Sequence, residues 1–177
     1  VTKASVAGEE LEVAGLGYVA EGGILDASTG EVLDAERMEI VLPALRLGML
    51  CNDAHLRDVD GGTELLGDPT EGALVVLARK AGLDPDAERS RFARSAEVPF
   101  DSATKVMATL HPDPDDPRGS VLAVKGAPDV VLAACTEMRE GVATVSLEGG
   151  RRAEVEHRND ALGSEGLRVL AIAARRL

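Results

Sequence analysis

The chain has 177 residues, 45% of them hydrophobic, enough for one domain with a sizeable core. Its formal net charge of −12 disfavours nucleic acid and anionic membrane surface as partners, although a local cluster of cations still decides whether a small anion binds. No apolar stretch approaches the roughly 18 residues of a membrane span, no signal peptide is visible, and Cys51 and Cys135 have no metal-ligand spacing to His55, His111 or His157.

Residues 1–35 read as short strands and turns, punctuated by Gly15, Gly17, Gly22 and Gly23 and by the turn-forming run 26–30. Met38, Val41, Leu42, Leu45 and Met49 keep helical spacing across 36–50, and Pro43 points to a helix that begins near it. Residues 63–66 are a short extended piece. Asp68-Pro69-Thr70-Glu71 then opens a second helix, with Leu74, Leu77, Ala78 and Ala81 as its apolar stripe and Gly82 as its stop. Residues 84–95 read as a charged, partly helical linker. Strands follow at 97–100 and 105–110, then a loop over 111–119 with three prolines, then a returning strand at 120–125. Pro128 opens a helix to about Cys135, residues 151–164 form a polar surface helix, and 167–174 closes as a strand. The pattern predicts an α+β fold with a mainly antiparallel sheet, in a single domain over residues 1–177.

The only aromatics are Tyr18, Phe92 and Phe100, so the core must be aliphatic and any well-placed Phe stands out. Phe100 sits where a strand gives way to the turn Asp101-Ser102. It is either a core residue or a sheet-margin aromatic on which a flat ring could stack. Lysine is rare too, with four against fifteen arginines. Lys105 and Lys125 fall at the two ends of the 105–125 hairpin, as solvated charges or as phosphate ligands. Gly126 leaves room for close backbone approach. Arg168 is the one charge in an apolar run and must reach solvent, a partner or a ligand. Glu71 is either a first-turn carboxylate favoured by the helix dipole or an acceptor for a ligand amino group. No GxxxxGK[ST] loop, GxSxG, HExxH or HRD set occurs, and Gly15-Leu16-Gly17-Tyr18-Val19-Ala20 lacks the following helix of a dinucleotide site.

Four segments, Gly67-Asp68-Pro69-Thr70-Glu71-Gly72-Ala73-Leu74, Pro99-Phe100-Asp101-Ser102-Ala103-Thr104-Lys105, Val124-Lys125-Gly126-Ala127-Pro128-Asp129 and Gly166-Leu167-Arg168-Val169-Leu170-Ala171, occur in this order. In that order, and with Leu50-Cys51-Asn52-Asp53-Ala54 before them, the chain resembles the nucleotide-binding domain of P-type cation-transporting ATPases, in the bacterial calcium-pump-like branch. The resemblance implies an antiparallel sheet flanked by helices that binds ATP and presents its γ-phosphate to an aspartate in a separate phosphorylation domain. It implies that Phe100 stacks on adenine, that Lys105 and Lys125 line the nucleotide pocket, that Gly126 lies beside the base, that Arg168 lies near the phosphates, and that Glu71 supports adenine binding. Ser102 and Thr104 stand where related sequences often carry arginine, which lowers the positive charge near the phosphates; Ser102 is kept as an ATP-site residue. The DKTGT, TGES and GDGxND segments of the family are absent, as are membrane helices. The expectation is an excised domain that binds ATP and does not hydrolyse it alone, with no catalytic residue and no metal site of its own. Magnesium would enter with the parent's phosphorylation domain. The expected partners are the phosphorylation and actuator domains of the parent ATPase, on the cytoplasmic side of the cell membrane, with no direct membrane contact by this segment. The competing expectation is a non-enzymatic interaction domain of the same fold that has lost nucleotide binding.

Overall fold

A computed structural model describes residues 1–60 and 62–177. The chain forms two compact units, Val1–Ala93 and Arg94–Leu177.

The first unit begins with three antiparallel strands, β1 (Lys3–Val6), β2 (Glu9–Val13) and β3 (Ile24–Asp26). Ala7 and Gly8 both take positive φ, the twist a two-residue hairpin turn requires. Helix α1 (Ala35–Leu50) follows, with the Asp34 carboxylate capping it by accepting from the Arg37 N–H at 2.9 Å. It runs through Pro43 and does not start there, a correction to the sequence reading. The Asp34 cap fixes the start eight positions earlier, and Pro43 lies on the exposed side of the helix. Leu11, Ile24, Leu33, Val41, Leu45 and Leu77 form one buried cluster of this unit. Arg37 clasps the sheet to α1 through ion pairs with Glu9 and with Asp26 at 2.6 Å. Asp26 also accepts from the Ser28 hydroxyl and N–H, and these bonds first, then Arg37, hold its carboxyl well below the usual range.

Strands β4 (His55–Val59) and β5 (Gly62–Leu66) form a hairpin that leads into α2 (Pro69–Lys80). Asp68 caps α2 by accepting from Thr70 N–H at 2.8 Å and Glu71 N–H at 3.3 Å, and Pro69 takes the first turn as its sequence predicts. Residues 84–95 are partly helical, as their sequence predicts, and the two units divide within them, but the segment up to Phe92 is packed into the first unit. Helix α3 (Pro85–Arg91) buries Pro85, and Phe92 packs on the cluster of Met49, Leu50, Ala54, Val75 and Ala78. The guanidinium carbons of Arg46 and Arg91 each lie 5.3 Å from the Phe92 ring centre, so this aromatic is a core element with cationic neighbours.

The second unit is built on one four-stranded antiparallel sheet in the order β11-β8-β7-β6. Its strands are β6 (Ala96–Asp101), β7 (Val106–Pro112), β8 (Ser120–Gly126) and β11 (Ala171–Arg176). Between them come α4 (Pro128–Ala134), the hairpin β9 (Glu137–Glu140) with β10 (Ala143–Ser146), and α5 (Gly150–Ser164). Strand β7 continues through Pro112, although the three prolines of 111–119 predict a loop there. There β6 no longer pairs, since its last partner on β7 is Leu110, so the missing proline N–H interrupts only one ladder. The hairpin β9–β10 was not foreseen, because its strands are polar and mostly exposed. Helix α5 has no buried residue; Arg152 ties it down by donating to the carbonyls of Leu132 and Cys135, at 2.8 Å each, at the end of α4. Strand β11 starts at Ala171 and not at 167, because the Leu167 N–H turns back to the Leu162 carbonyl at 3.2 Å and closes α5 first. On one face of the sheet Met107, Thr109, His111, Ala123 and Lys125 are buried. All sheets among the described residues are antiparallel and alternate with helices, so the fold class is α+β as predicted.

Candidate functional site

A single row of paired residues organises the second unit. Asp101 pairs with Val106, Val106 with Gly126, and Gly126 with Ala171, which crosses all four strands of the sheet at one end. In an antiparallel sheet this end collects the close of β6, the start of β7, the close of β8 and the start of β11. Three of the four motif segments are therefore brought together. Phe100, Ser102, Lys105, Lys125, Gly126 and Arg168 all lie within three residues of that row.

The neighbouring row is Met107, Lys125 and Ile172. By strand alternation these side chains face opposite to Val106, Gly126 and Ala171, and Phe100, next to Asp101, alternates to the same side as Lys125. One extra residue in β6 between Val98 and Asp101 makes this possible. Without that bulge Phe100 would share the face of Val98. Phe100 is 60% exposed at the end of an edge strand, so of its two sequence readings the sheet margin is the one observed and the core is not.

Lys125 is 4% exposed and sits in register with Met107. Lys105 differs from its sequence placement: it lies in the turn before β7, exposed, with φ +57. Its N–H donates to the Asp101 carbonyl at 2.6 Å, and its own carbonyl accepts from the Ala127 N–H at 3.0 Å. Gly126 is required by this contact. A Cβ there would stand 2.4 Å from the Lys105 carbonyl oxygen, so the close approach it permits is made by Lys105 itself. Ser102 is exposed within the same turn. Arg168 is exposed in the segment that precedes β11, not inside a strand. An open hollow of about 470 Å³ borders the motif segments and is lined by Pro128, Asn159, Asp160, Ser164, Leu167 and Val169 among others. The residues named on its wall include the carboxylate of Asp160 and no Lys or Arg.

Glu71 belongs to the first unit. Its Oε2 accepts from the Asp53 N–H at 3.0 Å, and its carbonyl accepts from the Asn52 side-chain amide at 2.8 Å. Asn52 is 1% exposed and also accepts from the Ala54 N–H at 2.8 Å. Sequence alone assigns Asn52 no role. The available signal was an amide placed directly after the apolar end of α1. Among the described residues no group of three or more His, Cys, Asp and Glu could hold a metal, and no helix is long and apolar enough to cross a membrane. Cys51 and Cys135 are unbridged; burial pushes the Cys135 thiol up.

Residues 42–177 match the family described as P-type ATPase, cytoplasmic domain N. A calcium-transporting ATPase of Bacillus subtilis is 34% identical over 99% of this chain and 19% of its own length. The cation-transporting ATPase pma1 of Synechocystis is 35% identical over 95% of this chain and 18% of its own. The human calcium-transporting ATPase type 2C member 1 is 36% identical over 94% of this chain and 17% of its own. The chain thus spans less than a fifth of the length of these relatives. Family membership carries a nucleotide-binding role in general terms. With three of its four motif segments drawn to one sheet end, residues 42–177 matched by the family and 99% of the chain aligned to a relative at 34% identity, the chain belongs to the cytoplasmic N-domain family of P-type ATPases.

Proposed function

We propose that the chain acts as a single ATP-binding domain, over residues 1–177, of a P-type cation-transporting ATPase and presents the γ-phosphate of ATP to a separate phosphorylation domain. The observation that carries this is the shared row Asp101–Val106–Gly126–Ala171, which groups an exposed aromatic with three cationic side chains. In this reading the adenine stacks on Phe100, a contact worth about 1–3 kcal/mol. Lys105 and Lys125 neutralise phosphate oxygens, Arg168 adds charge near them, Ser102 offers a hydroxyl, and the backbone at Gly126 flanks the base. Glu71 is proposed as an acidic ligand of the adenine on the strength of the resemblance. The partners are the phosphorylation and actuator domains of the parent, on the cytoplasmic side of the membrane. Magnesium enters with the phosphorylation domain.

Phosphoryl transfer needs a nucleophile, a metal and in-line positioning, whereas the roles proposed for the residues at this sheet end are stacking, charge and hydrogen bonding. The chain is therefore proposed to bind ATP without hydrolysing it. The binding is weak, because one stacking ring and few cations work against a net charge of −12. A Kd from tens of micromolar to millimolar corresponds to about −4 to −6 kcal/mol. The test is an ATP titration followed by amide chemical shifts. Shifts centred on residues 100–106, 124–128 and 166–170 support the reading. No shifts at several millimolar ATP would favour the interaction domain without nucleotide, the alternative that Ser102, Thr104 and the acidic charge favour. In a companion assay with γ-labelled ATP and an acid quench, protein-bound label on a carboxylate would refute the claim that the chain does not hydrolyse.

A further inference from the structure

We propose that Asp101 is a positioning residue for Lys105, acting through the turn 101–105 and not by touching the nucleotide; this rests on the ATP-binding reading above. Asp101 closes β6 and stands in the row with Val106. Its carboxylate Oδ1 accepts from the Ala103 N–H at 2.9 Å. Its carbonyl accepts from the Lys105 N–H at 2.6 Å and from the Thr104 hydroxyl at 3.4 Å. These bonds wind the chain from the end of one strand to the start of the next within four residues. They also hold Lys105 at φ +57, a conformation that suits glycine and that a lysine adopts only when its surroundings impose it. The far side of the turn is fixed as well, since the Lys105 carbonyl accepts from Ala127 and fills the space beside Gly126.

An aspartate is otherwise the wrong residue here. It is exposed, next to side chains assigned to phosphate, and Coulomb repulsion alone would make it weaken ATP binding. Its value lies in the side-chain acceptor, which adds the Ala103 bond to the carbonyl bonds that any residue at 101 would make to Thr104 and Lys105. The two effects have opposite signs, so substitution separates them. Asp101→Ala removes both charge and acceptor. Asp101→Asn removes the charge and keeps the acceptor.

The experiment measures ATP and adenosine affinity by amide-shift titration of the whole chain. Asp101→Ala is expected to weaken ATP about three- to tenfold, the loss of one hydrogen bond's worth of order, and adenosine less. Asp101→Asn is expected to bind ATP at least as tightly as the parent chain. In a Lys105→Met background, Asp101→Ala is expected to add nothing. Unchanged or tighter ATP binding by Asp101→Ala overturns the proposal, as does an equal loss in Asp101→Asn, or a full loss that persists without Lys105. Should Asp101→Ala fail to fold, adding Lys105→Gly must restore the fold, because glycine accepts the left-handed conformation unaided. Failure of that rescue also overturns the proposal, with no nucleotide involved. Absence of ATP binding by the unsubstituted chain would instead sink the binding reading itself, and the rescue would still decide the role of Asp101 in the turn.

Discussion

Replacing Lys105 by glycine is expected to stabilise the chain while weakening its hold on ATP. Lys105 is exposed and left-handed, so the substitution removes conformational strain and no packed surface. The strain relieved is about 1–2 kcal/mol for a residue that carries a Cβ. Glycine's greater freedom in the unfolded chain returns about 0.5–1 kcal/mol of that. A net gain of about 0.5–1 kcal/mol follows, which for a chain of this size raises Tm by about 1–4 °C. In the proposed site, loss of the ammonium would remove a charge-assisted bond to phosphate of about 1.5 kcal/mol, or roughly a tenfold rise in the Kd for ATP. Lys105→Ala is the control. It keeps the strain and loses the charge, so it should bind ATP as poorly as the glycine variant without being more stable than the parent. Thermal melts without nucleotide and amide-shift titrations with ATP read the two quantities separately. A glycine variant less stable than the parent, or an alanine variant equally stabilised, would show that the left-handed turn stores no strain.

Phe100→Ala should weaken ATP tenfold or more, the worth of about 1–3 kcal/mol of stacking, with Tm nearly unchanged, because the ring is 60% exposed; a variant that unfolds with normal residual affinity would refute the margin placement. Asn52→Ala should cost about 1–3 kcal/mol in urea unfolding, since it strips partners from the Ala54 N–H and the Glu71 carbonyl in a buried setting; a loss below a few tenths would show that these bonds contribute little. Asp26 gives stability a pH dependence of definite sign. Its folded carboxyl titrates below its unfolded value, so its contribution is present above the usual carboxylate range and fades as pH falls through and below it. Asp26→Asn should therefore flatten the acid limb of a stability–pH curve, and an unchanged limb would count against the Ser28 and Arg37 bonds as its cause.

Much of the fold was legible because its local signals are strong. Asp68-Pro69 marked the start of α2, Pro128 marked α4, and the long alternating stretch on either side of the 113–119 loop marked the β7–β8 hairpin. What stayed hidden depends on tertiary context. Pro43 reads as a helix start, yet Asp34 had already capped the helix and the exposed face tolerates the ring. Residues 84–95 read as a linker because their charges outnumber their apolar residues, whereas one partly buried ring, Phe92, draws them onto a core. The hairpin β9–β10 carries no periodic apolar signal at all.

The candidate site divides along the same line. Residue types at Phe100, Lys105, Lys125 and Arg168 could be picked from sequence because each is rare or isolated in its surroundings. Their convergence could not, since it depends on strand order and register. The order β11-β8-β7-β6 places the last segment of the chain beside the middle of it, and one extra residue in β6 decides which face Phe100 takes. Gly126 has a structural reason for being glycine that differs from the one its sequence suggests. Sequence reading left its open space for a ligand, and the structure fills it with the carbonyl of Lys105. The glycine thus couples two motif segments: any side chain at position 126 would push out the turn that presents Lys105. A substitution such as Gly126→Ala should accordingly act through Lys105, and its effect on ATP should shrink once Lys105 is replaced. Equal effects of Gly126→Ala with and without the lysine would place its influence elsewhere, on the base or on the sheet itself.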